Sequence, residues 1–452
     1  MFSIHTTRGA ITIFLADVAI SCLLFELFFS ILPGPLEEYV TLSIFTLIIL
    51  FSLFITSLYS FTEQISPVEL FKRVVIAFFI SCGYIVTLSF FMSELELITW
   101  RLLPPLSAIF VCLFFFRYIL YYDMPKNRNR VLIIGANDLT HEIVKESQKK
   151  TFRDYDIVGI ISAVENQVGT DFHGIPVVGP MEEINEVLQR VNPIDIIVVT
   201  LRDRRGKLPV HNLLKLKTSN IRIQEGSTFY EEVKKKIIVD EYLKPSWFLF
   251  EEGFCQTPIH RTIKHAQGMV VSLCLLTILS PLLLLTALLI KLESPGPVFY
   301  RQERVGFNGK VFRLLKFRSM VSGAEKSSGP IFAQKDDPRI TRVGRVLRKL
   351  RLDEIPQFIN IFRGDMDMVG PRPERPVFVK EMGESIPYYN LRHSVRPGLT
   401  GWAQVNYSYA DNIDAGKEKL QYDLYYVKHS TWLMDLAIMF LTIKEVLFAR
   451  GR

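Results

Sequence analysis

Residues 348–376 read RKLRLDEIPQFINIFRGDMDMVGPRPERP, the stretch of this chain with the densest chemistry. Two carboxylates, Asp353 and Glu354, stand side by side, with Arg345, Arg348 and Arg351 before them and Arg363, Arg372 and Arg375 after. Adjacent acids ringed by guanidinium forks suit work on a phosphorylated substrate with a divalent metal. Proline is accepted in the first turn of a helix, and QFINIF after Pro356 has helical spacing, so the acid pair is expected at a helix N-terminus. The macrodipole there favours a carboxylate and a bound phosphate. Asp353 would then be ionised at neutral pH, as a carboxylate nucleophile must be; from the local sequence alone, a plain N-cap is an equal alternative. Arg372 lies between prolines in GPRPERP, and Arg396 precedes the Pro397-Gly398 turn in SVRPGLTGWAQVN. Rigid loops that each present one guanidinium read as phosphate clamps.

The elements that must position these residues include several apolar ones. The chain has 452 residues, 49% of them hydrophobic, and the apolar content is clustered. Runs at 11–32, 39–59, 74–93 and 102–122 each approach the ~20 residues of a spanning helix. Arg8, Lys72, Arg73, Lys126, Arg128 and Arg130 flank one side of this unit; Glu37, Glu38, Glu94 and Glu96 flank the other, where Arg101 is the basic exception. The positive-inside rule puts both ends in the cytoplasm. Asp17 and Glu26 within the first run are costly in lipid and should face a neighbouring helix or a partner. A fifth run, 269–290, is interrupted by Ser280-Pro281 and has basic flanks on both sides: Arg261 and Lys264, then Lys291, Arg301 and Arg304. Proline bends a helix by removing a donor and crowding the preceding turn. A central break with symmetric basic flanks fits a re-entrant helix better than a kinked span. The net charge of +7 fits cytoplasmic faces and anionic lipid rather than nucleic acid. No short basic segment and cleavage site mark a signal peptide.

Residues 129–240 change character. Buried-strand runs at NRVLIIGAND, IDIIVVTL and NIRIQEG alternate with charged helical segments, which indicates a Rossmann-like domain with a parallel sheet. Its first turn, Gly135-Ala136-Asn137-Asp138-Leu139-Thr140, keeps only the first glycine of G-x-G-x-x-G, which argues against a dinucleotide site. Cys22, Cys82, Cys112, Cys255 and Cys274 have no metal-ligand spacing and read as small buried hydrophobes. The expected organisation is therefore membrane α plus α/β: a four-helix transmembrane region at 1–125, a Rossmann-like domain at 126–245, a linker at 246–266, a re-entrant helix at 267–291 and a catalytic domain at 292–452. The amphipathic stretch 431–449 suits the bilayer surface.

KFRSM (316–320), LRKLRLDEIPQFINIFRGDMDMVGPRP (347–373) and RPGLTGWAQVN (396–406) together resemble the bacterial sugar transferase family, the monotopic phosphoglycosyl transferases that act on polyprenyl phosphate. The likeness covers roughly 260–452; the Ser280-Pro281 break resembles the family's re-entrant helix, and the amino-terminal organisation resembles its long-form members, the undecaprenyl-phosphate sugar phosphotransferases. The tail resembles exopolysaccharide-type members. By position, the resemblance implies that Asp353 is the nucleophile, that Glu354 is its partner at a Mg²⁺ site shared with Asp353, and that Arg348, Arg372 and Arg396 coordinate phosphate. Lys316, Arg318 and Arg351 are further candidates in the same motifs.

The resulting expectation is a two-step transfer. Asp353 attacks the β-phosphorus of a UDP-sugar and expels UMP, and undecaprenyl phosphate then takes the sugar phosphate from the aspartate. The partners are a UDP-sugar, undecaprenyl phosphate and membrane lipids, with a homodimer open. The location is the bacterial cytoplasmic membrane, catalytic side inward, at the first step of an exopolysaccharide or other surface glycan. Three alternatives stand beside this: direct attack by the lipid phosphate with both acids binding the metal, a non-catalytic scaffold of a glycan assembly complex, and, more weakly, a transporter, because Asp17 and Glu26 are the charges noted within the apolar runs.

Overall fold

The computed structural model describes residues 7–31, 38–56, 58, 67–91, 99–119, 128–148, 155–162, 168–191, 193–201, 208–219, 221–239, 248, 253–254, 256–321, 323, 337–407 and 413–447. The chain divides into two compact units, Met1–Glu225 and Gly226–Arg452.

The first unit opens with four helices, α1 (Thr7–Ile31), α2 (Glu38–Ile55), α3 (Pro67–Phe91) and α4 (Thr99–Tyr118). Phe25, Phe45, Ile49, Leu53, Leu106, Ile109 and Leu113 pack between them, while large apolar side chains such as Leu15, Leu23, Leu47, Phe79 and Phe115 point outward. Among the described residues, Pro67–Thr87 is the one single helix long and apolar enough to cross a membrane; Ile44–Ile55 and Leu103–Tyr118 are shorter apolar segments. Asp17 faces a neighbouring helix, as its cost in an apolar setting requires. Arg117 of α4 donates to both its oxygens, at 2.9 and 2.6 Å, with both side chains fully buried. Arg117 lies inside the fourth apolar run and corrects the sequence-based inventory of charges there, which held only Asp17 and Glu26. Glu26 is exposed on α1.

The sheet that follows is built from β1 (Asn129–Ile134), β2 (Tyr155–Ser162), β3 (Asp171–Phe172), β4 (Ile175–Pro180), β5 (Ile196–Val199) and β6 (Arg222–Glu225), with α5 (Asp138–Ser147), α6 (Ile184–Val191) and α7 (Val210–Thr218) between strands. The order is β3-β4-β2-β1-β5-β6, parallel except for the short β3–β4 pair. The continuous apolar runs of β1 and β5 are buried on both faces, as interior parallel strands are. At the expected fingerprint, Gly135 has φ of +116°, and a Cβ there would stand 2.6 Å from Thr200 Oγ1. Asn137 caps α5 and also donates from Nδ2 to Thr200 O at 2.7 Å, while the Thr140 and Thr200 hydroxyls meet at 2.9 Å. These contacts stitch β1 to β5 with the polar groups of the turn.

The second unit starts with α8 (Gly226–Lys234) and continues through α9 (Pro258–Ile278), α10 (Ser280–Glu293), the antiparallel hairpin β7 (Phe299–Val305) and β8 (Val311–Phe317), α11 (Arg342–Lys349), α12 (Gln357–Arg363), β9 (Asp367–Val369), α13 (Pro376–Ser385), β10 (Gly398–Thr400), α14 (Trp402–Asn406), α15 (Ile413–His429) and α16 (Trp432–Leu447). α9 and α10 meet at Leu279 with a bend of 64°. Pro281 stands in the first turn of α10, where its missing N–H costs nothing, so the sequence break becomes a corner between two helices. The pair is polar inside and apolar outside: Lys264, Ser272 and Thr286 are buried, whereas Val270, Ile278, Leu284, Leu288 and Leu292 are more than half exposed.

A short segment, 226–239, is fastened along α15. Glu231 pairs with Lys428 at 2.9 Å and with His429 at 2.5 Å, Lys236 pairs with Glu418 at 2.7 Å, and Trp402 Nε1 donates to Lys235 O at 2.8 Å.

The Asp17–Arg117 pair yields a stability prediction. Removing one partner of a buried pair leaves an uncompensated charge, at a cost of about 3–5 kcal/mol. Arg117→Leu should destabilise the protein by that order in detergent unfolding, and Asp17→Leu/Arg117→Leu should recover most of the loss. A double variant no more stable than the single one would show that the pair carries little coupling.

Candidate active site

The acid pair sits in a 3-10 turn, Leu352–Glu354, that precedes α12. Arg351 takes a left-handed conformation (φ 55°) to end the approach from α11, and Pro356 stands as the residue before α12 rather than within its first turn. The expected helix N-terminus is thus split into a tight turn and a separate helix. Buried Asn360 fixes this helix to the hairpin: its Oδ1 accepts from Leu315 N at 2.9 Å, and its Nδ2 donates to Arg313 O at 2.8 Å and to Asp365 Oδ2 at 3.0 Å. Phe358, Ile361, Leu314 and Met366 fill the space beneath.

This places the end of β8 over the acids. Lys316 Nζ reaches Glu354 Oε1 at 3.0 Å, and Arg372 Nη2 reaches the same oxygen at 3.0 Å. Burial works against ionising Glu354, yet the two cations hold its carboxyl well below the usual range. Asp353 is different. It is buried, and among the described residues its carboxylate accepts no hydrogen bond and caps no helix. Burial pushes its carboxyl above the usual range and Glu354 adds to this, against the pull of Lys316, Arg348 and Arg372. Neighbouring groups whose environments drive them apart are the pattern of divided chemical roles. One acid is committed to cations; the other keeps both oxygens available.

Lys316, Arg348 and Arg372 are therefore gathered around Asp353 and Glu354. Arg396 lies beside another acid, Asp367, at 3.6 Å. Arg318 is buried and spends its guanidinium on the end of α10, donating to Ser294 O at 2.7 Å and Pro295 O at 3.0 Å. Arg351 is exposed. Ser280 and Pro281 form the corner of the bent helix pair.

The arginine-bearing loops are held by parts to which the sequence motifs gave no role. Parallel pairing of β9 with β10 brings residues 370–373 against 396–398 so closely that neither Gly370 nor Gly398 has room for a side chain; a Cβ on Gly398 would lie 2.0 Å from Gly370 N. Arg392, fully enclosed, donates to Asp423 at 2.6 Å and to Arg372 O at 3.0 Å. Arg304 donates to Pro373 O at 3.0 Å, and Glu374 pairs with Arg304 at 3.5 Å and with Lys419. Below, Lys264 of α9 pairs with Asp435 at 3.0 Å and meets the Tyr426 hydroxyl, which in turn donates to Asp435 at 2.6 Å. The one sequence signal for this scaffold was a polar residue inside an apolar helical stretch, Asn360 in QFINIF.

Among the described residues no group of three or more acidic, histidine or cysteine side chains could hold a metal unaided. The Asp353 carboxylate and the second oxygen of Glu354, whose Oε1 takes both Lys316 and Arg372, nevertheless fit Mg²⁺, which is commonly held by one or two carboxylates together with substrate phosphates.

The profile of the bacterial sugar transferase family matches residues 259–449, the segment that contains this site. The chain belongs to that family, a family of transferases. The UDP-glucose:undecaprenyl-phosphate glucose-1-phosphate transferase of Klebsiella pneumoniae is 31% identical over 342 residues, 73% of this chain and 69% of that protein. Its namesake in Escherichia coli (strain K12) is 30% identical over 70% of this chain and 67% of that protein. The UDP-N-acetylgalactosamine-undecaprenyl-phosphate N-acetylgalactosaminephosphotransferase of Aeromonas hydrophila is 47% identical over 195 residues, which span 43% of this chain and 46% of that protein.

The scaffold generates a pH prediction. Against burial, Lys419, Arg392 and Arg304 bring the Glu374 carboxyl down to about 2 from an ordinary 4.5. A depressed carboxyl contributes stability above its unfolded value and loses it as pH falls through its folded one. Wild-type protein should therefore lose on the order of 3 kcal/mol of this contribution between pH 4.5 and 2. Glu374→Gln should be less stable at neutral pH and converge on wild type across that window in thermal unfolding. Parallel curves would remove Glu374 from the account.

Proposed function

We propose that this protein transfers a sugar 1-phosphate from a UDP-sugar to undecaprenyl phosphate, releasing UMP, as the first membrane step of a surface glycan. The observation that carries the reading is Asp353: a buried carboxylate with no hydrogen-bond partner among the described residues, beside a Glu354 already pinned by Lys316 and Arg372. The names of the relatives support the reaction class. The higher identity to the Aeromonas protein makes UDP-N-acetylgalactosamine the first donor to test.

In the first step an Asp353 oxygen attacks the β-phosphorus, the bond from that phosphorus to the bridging oxygen breaks, and UMP leaves with the electron pair. In the second, an oxygen of undecaprenyl phosphate attacks the same phosphorus, and Asp353 leaves as a carboxylate. Arg348, Arg372 and Arg396 orient the phosphates, and Lys316 keeps Glu354 ionised. Glu354 and Asp353 would hold Mg²⁺ together with the substrate's diphosphate, and the ion would supply charge neutralisation there. Charges fixed where charge develops need no reorganisation during reaction.

The membrane part of the proposal is that α1–α4 span the bilayer and that α9 and α10 dip into it from the cytoplasmic face and return. It is supported by the 64° corner and by an exterior that is apolar along both helices. An anchor of this kind sets the height of the site at the lipid phosphate, and such positioning is worth up to about 7–11 kcal/mol.

Asp353→Asn should abolish UMP release while the protein still folds and inserts, and Glu354→Gln should be severely impaired. Incubation with donor alone should leave a sugar phosphate on the wild-type protein, detected by intact mass; its absence, with turnover normal, would favour direct attack by the lipid phosphate. EDTA should stop turnover and Mg²⁺ restore it.

Topology is tested separately. Single cysteines at Asp171 and Lys310, both exposed, in a cysteine-free background should both resist a membrane-impermeant thiol reagent in intact cells. Labelling at 310 but not at 171 would show that the bent pair crosses the bilayer, and would separate the site from its nucleotide donor.

A further inference from the structure

α11 has two faces of opposite character. Val343 and Leu347 pack inward against Leu283, Ala287 and Ile290 of α10. Glu293, at the end of α10, accepts from Arg342 N at 2.6 Å and Val343 N at 3.0 Å, and so locks the start of α11 to the end of the apolar helix. The outward face carries Arg342, Arg345 and Lys349, all exposed, with Val346 at 55% and Leu350 at 53% exposure among them. Among the described residues none of these three cations has an acidic partner.

A solvated helix face has little use for two exposed aliphatic side chains one turn apart, and a helix that docks on protein has little use for three unpaired cations. An interface between water and an anionic bilayer accommodates both: aliphatic groups enter the acyl boundary and long basic side chains reach the headgroup phosphates. Leu284, Leu288 and Leu292 of α10, the helix on which α11 packs, are exposed as well.

We infer that the outer face of α11 is an anionic-phospholipid docking surface, with Arg342, Arg345 and Lys349 on the headgroup phosphates and Val346 and Leu350 at the acyl boundary. The inference rests on the membrane placement of α9 and α10 proposed above. It adds that the composition of the bilayer, beyond its thickness, seats the segment leading from α11 into the acid pair. Each basic side chain near such a surface contributes about a fivefold gain in association.

The test uses the full-length protein in lipid nanodiscs, with an environment-sensitive fluorophore on a single cysteine at Val346 or, separately, at Leu288. Phosphatidylcholine discs are compared with discs that also contain phosphatidylglycerol. The label at 288 should be quenched by brominated acyl chains in both. The label at 346 should shift to the blue and become quenched only with phosphatidylglycerol, and the shift should be lost in high salt and in Arg342→Gln/Arg345→Gln/Lys349→Gln. Quenching at 288 with an unshifted label at 346 would overturn this inference alone. No quenching at 288 would overturn the membrane placement and the inference with it. A shift at 346 that follows polyprenyl phosphate added to phosphatidylcholine discs, and not phosphatidylglycerol, would overturn it by assigning the surface to the acceptor.

Discussion

Two adjacent carboxylates taken out of water repel each other and lose hydration, and the surroundings of residues 353 and 354 are shaped by that cost. Glu354 is offset by Lys316 and Arg372 converging on one oxygen. Asp353 is left with burial against it and cations near but not bonded to it. If both acids were paired, neither would be available; if neither were, the turn would hold an uncompensated charge. The division of the two is the state from which a phosphate-directed nucleophile can act.

Everything that brings those cations into place is itself fixed at several points. Lys316 arrives on a hairpin tied to α12 through Asn360. Arg372 arrives on a loop whose carbonyls are held by Arg304 and Arg392, against a second loop that only glycine at 370 and 398 allows to approach. Salt bridges of this buried kind contribute little net stability over a well-packed apolar core, but losing one partner is costly. Their contribution here is to placement: they hold the backbone carbonyls of Arg372 and Pro373, from which the Arg372 guanidinium reaches Glu354.

Much of this arrangement was legible in the sequence where a residue type has one strong physical use. A proline break in an apolar run and alternating buried strands and helices pointed to the elements found, a bent helix pair and a parallel sheet, whereas the adjacent acids pointed to a helix N-terminus and stand instead in a 3-10 turn before α12. What was not legible depended on distance along the chain. Arg318 and Lys316 sit two residues apart in one motif, where strand alternation alone would put both on one face, yet β8 ends between them at Phe317: Lys316, inside the strand, reaches the acids, and Arg318, beyond it, reaches the end of α10. Arg396 and Arg372 have similar proline-bounded settings, but their partners, Asp367 and Glu354, are set by tertiary pairing. Arg117 was hidden because hydropathy averages a single charge away in a run of phenylalanines, and only its contact with Asp17, a hundred residues earlier, explains it.

The segment 226–239 bears on where the transferase portion of this chain begins. The family profile starts at residue 259, but Lys428 and Glu418 have their partners at Glu231 and Lys236, and the Trp402 indole has its acceptor at Lys235. A fragment cut at the profile boundary would keep every motif residue and still expose one flank of α15, with a buried lysine stripped of its counter-ion. In this chain the segment that the family profile spans and the compact unit that holds it differ in length: the profile begins at residue 259 and the unit at Gly226, directly after the last strand of the preceding sheet.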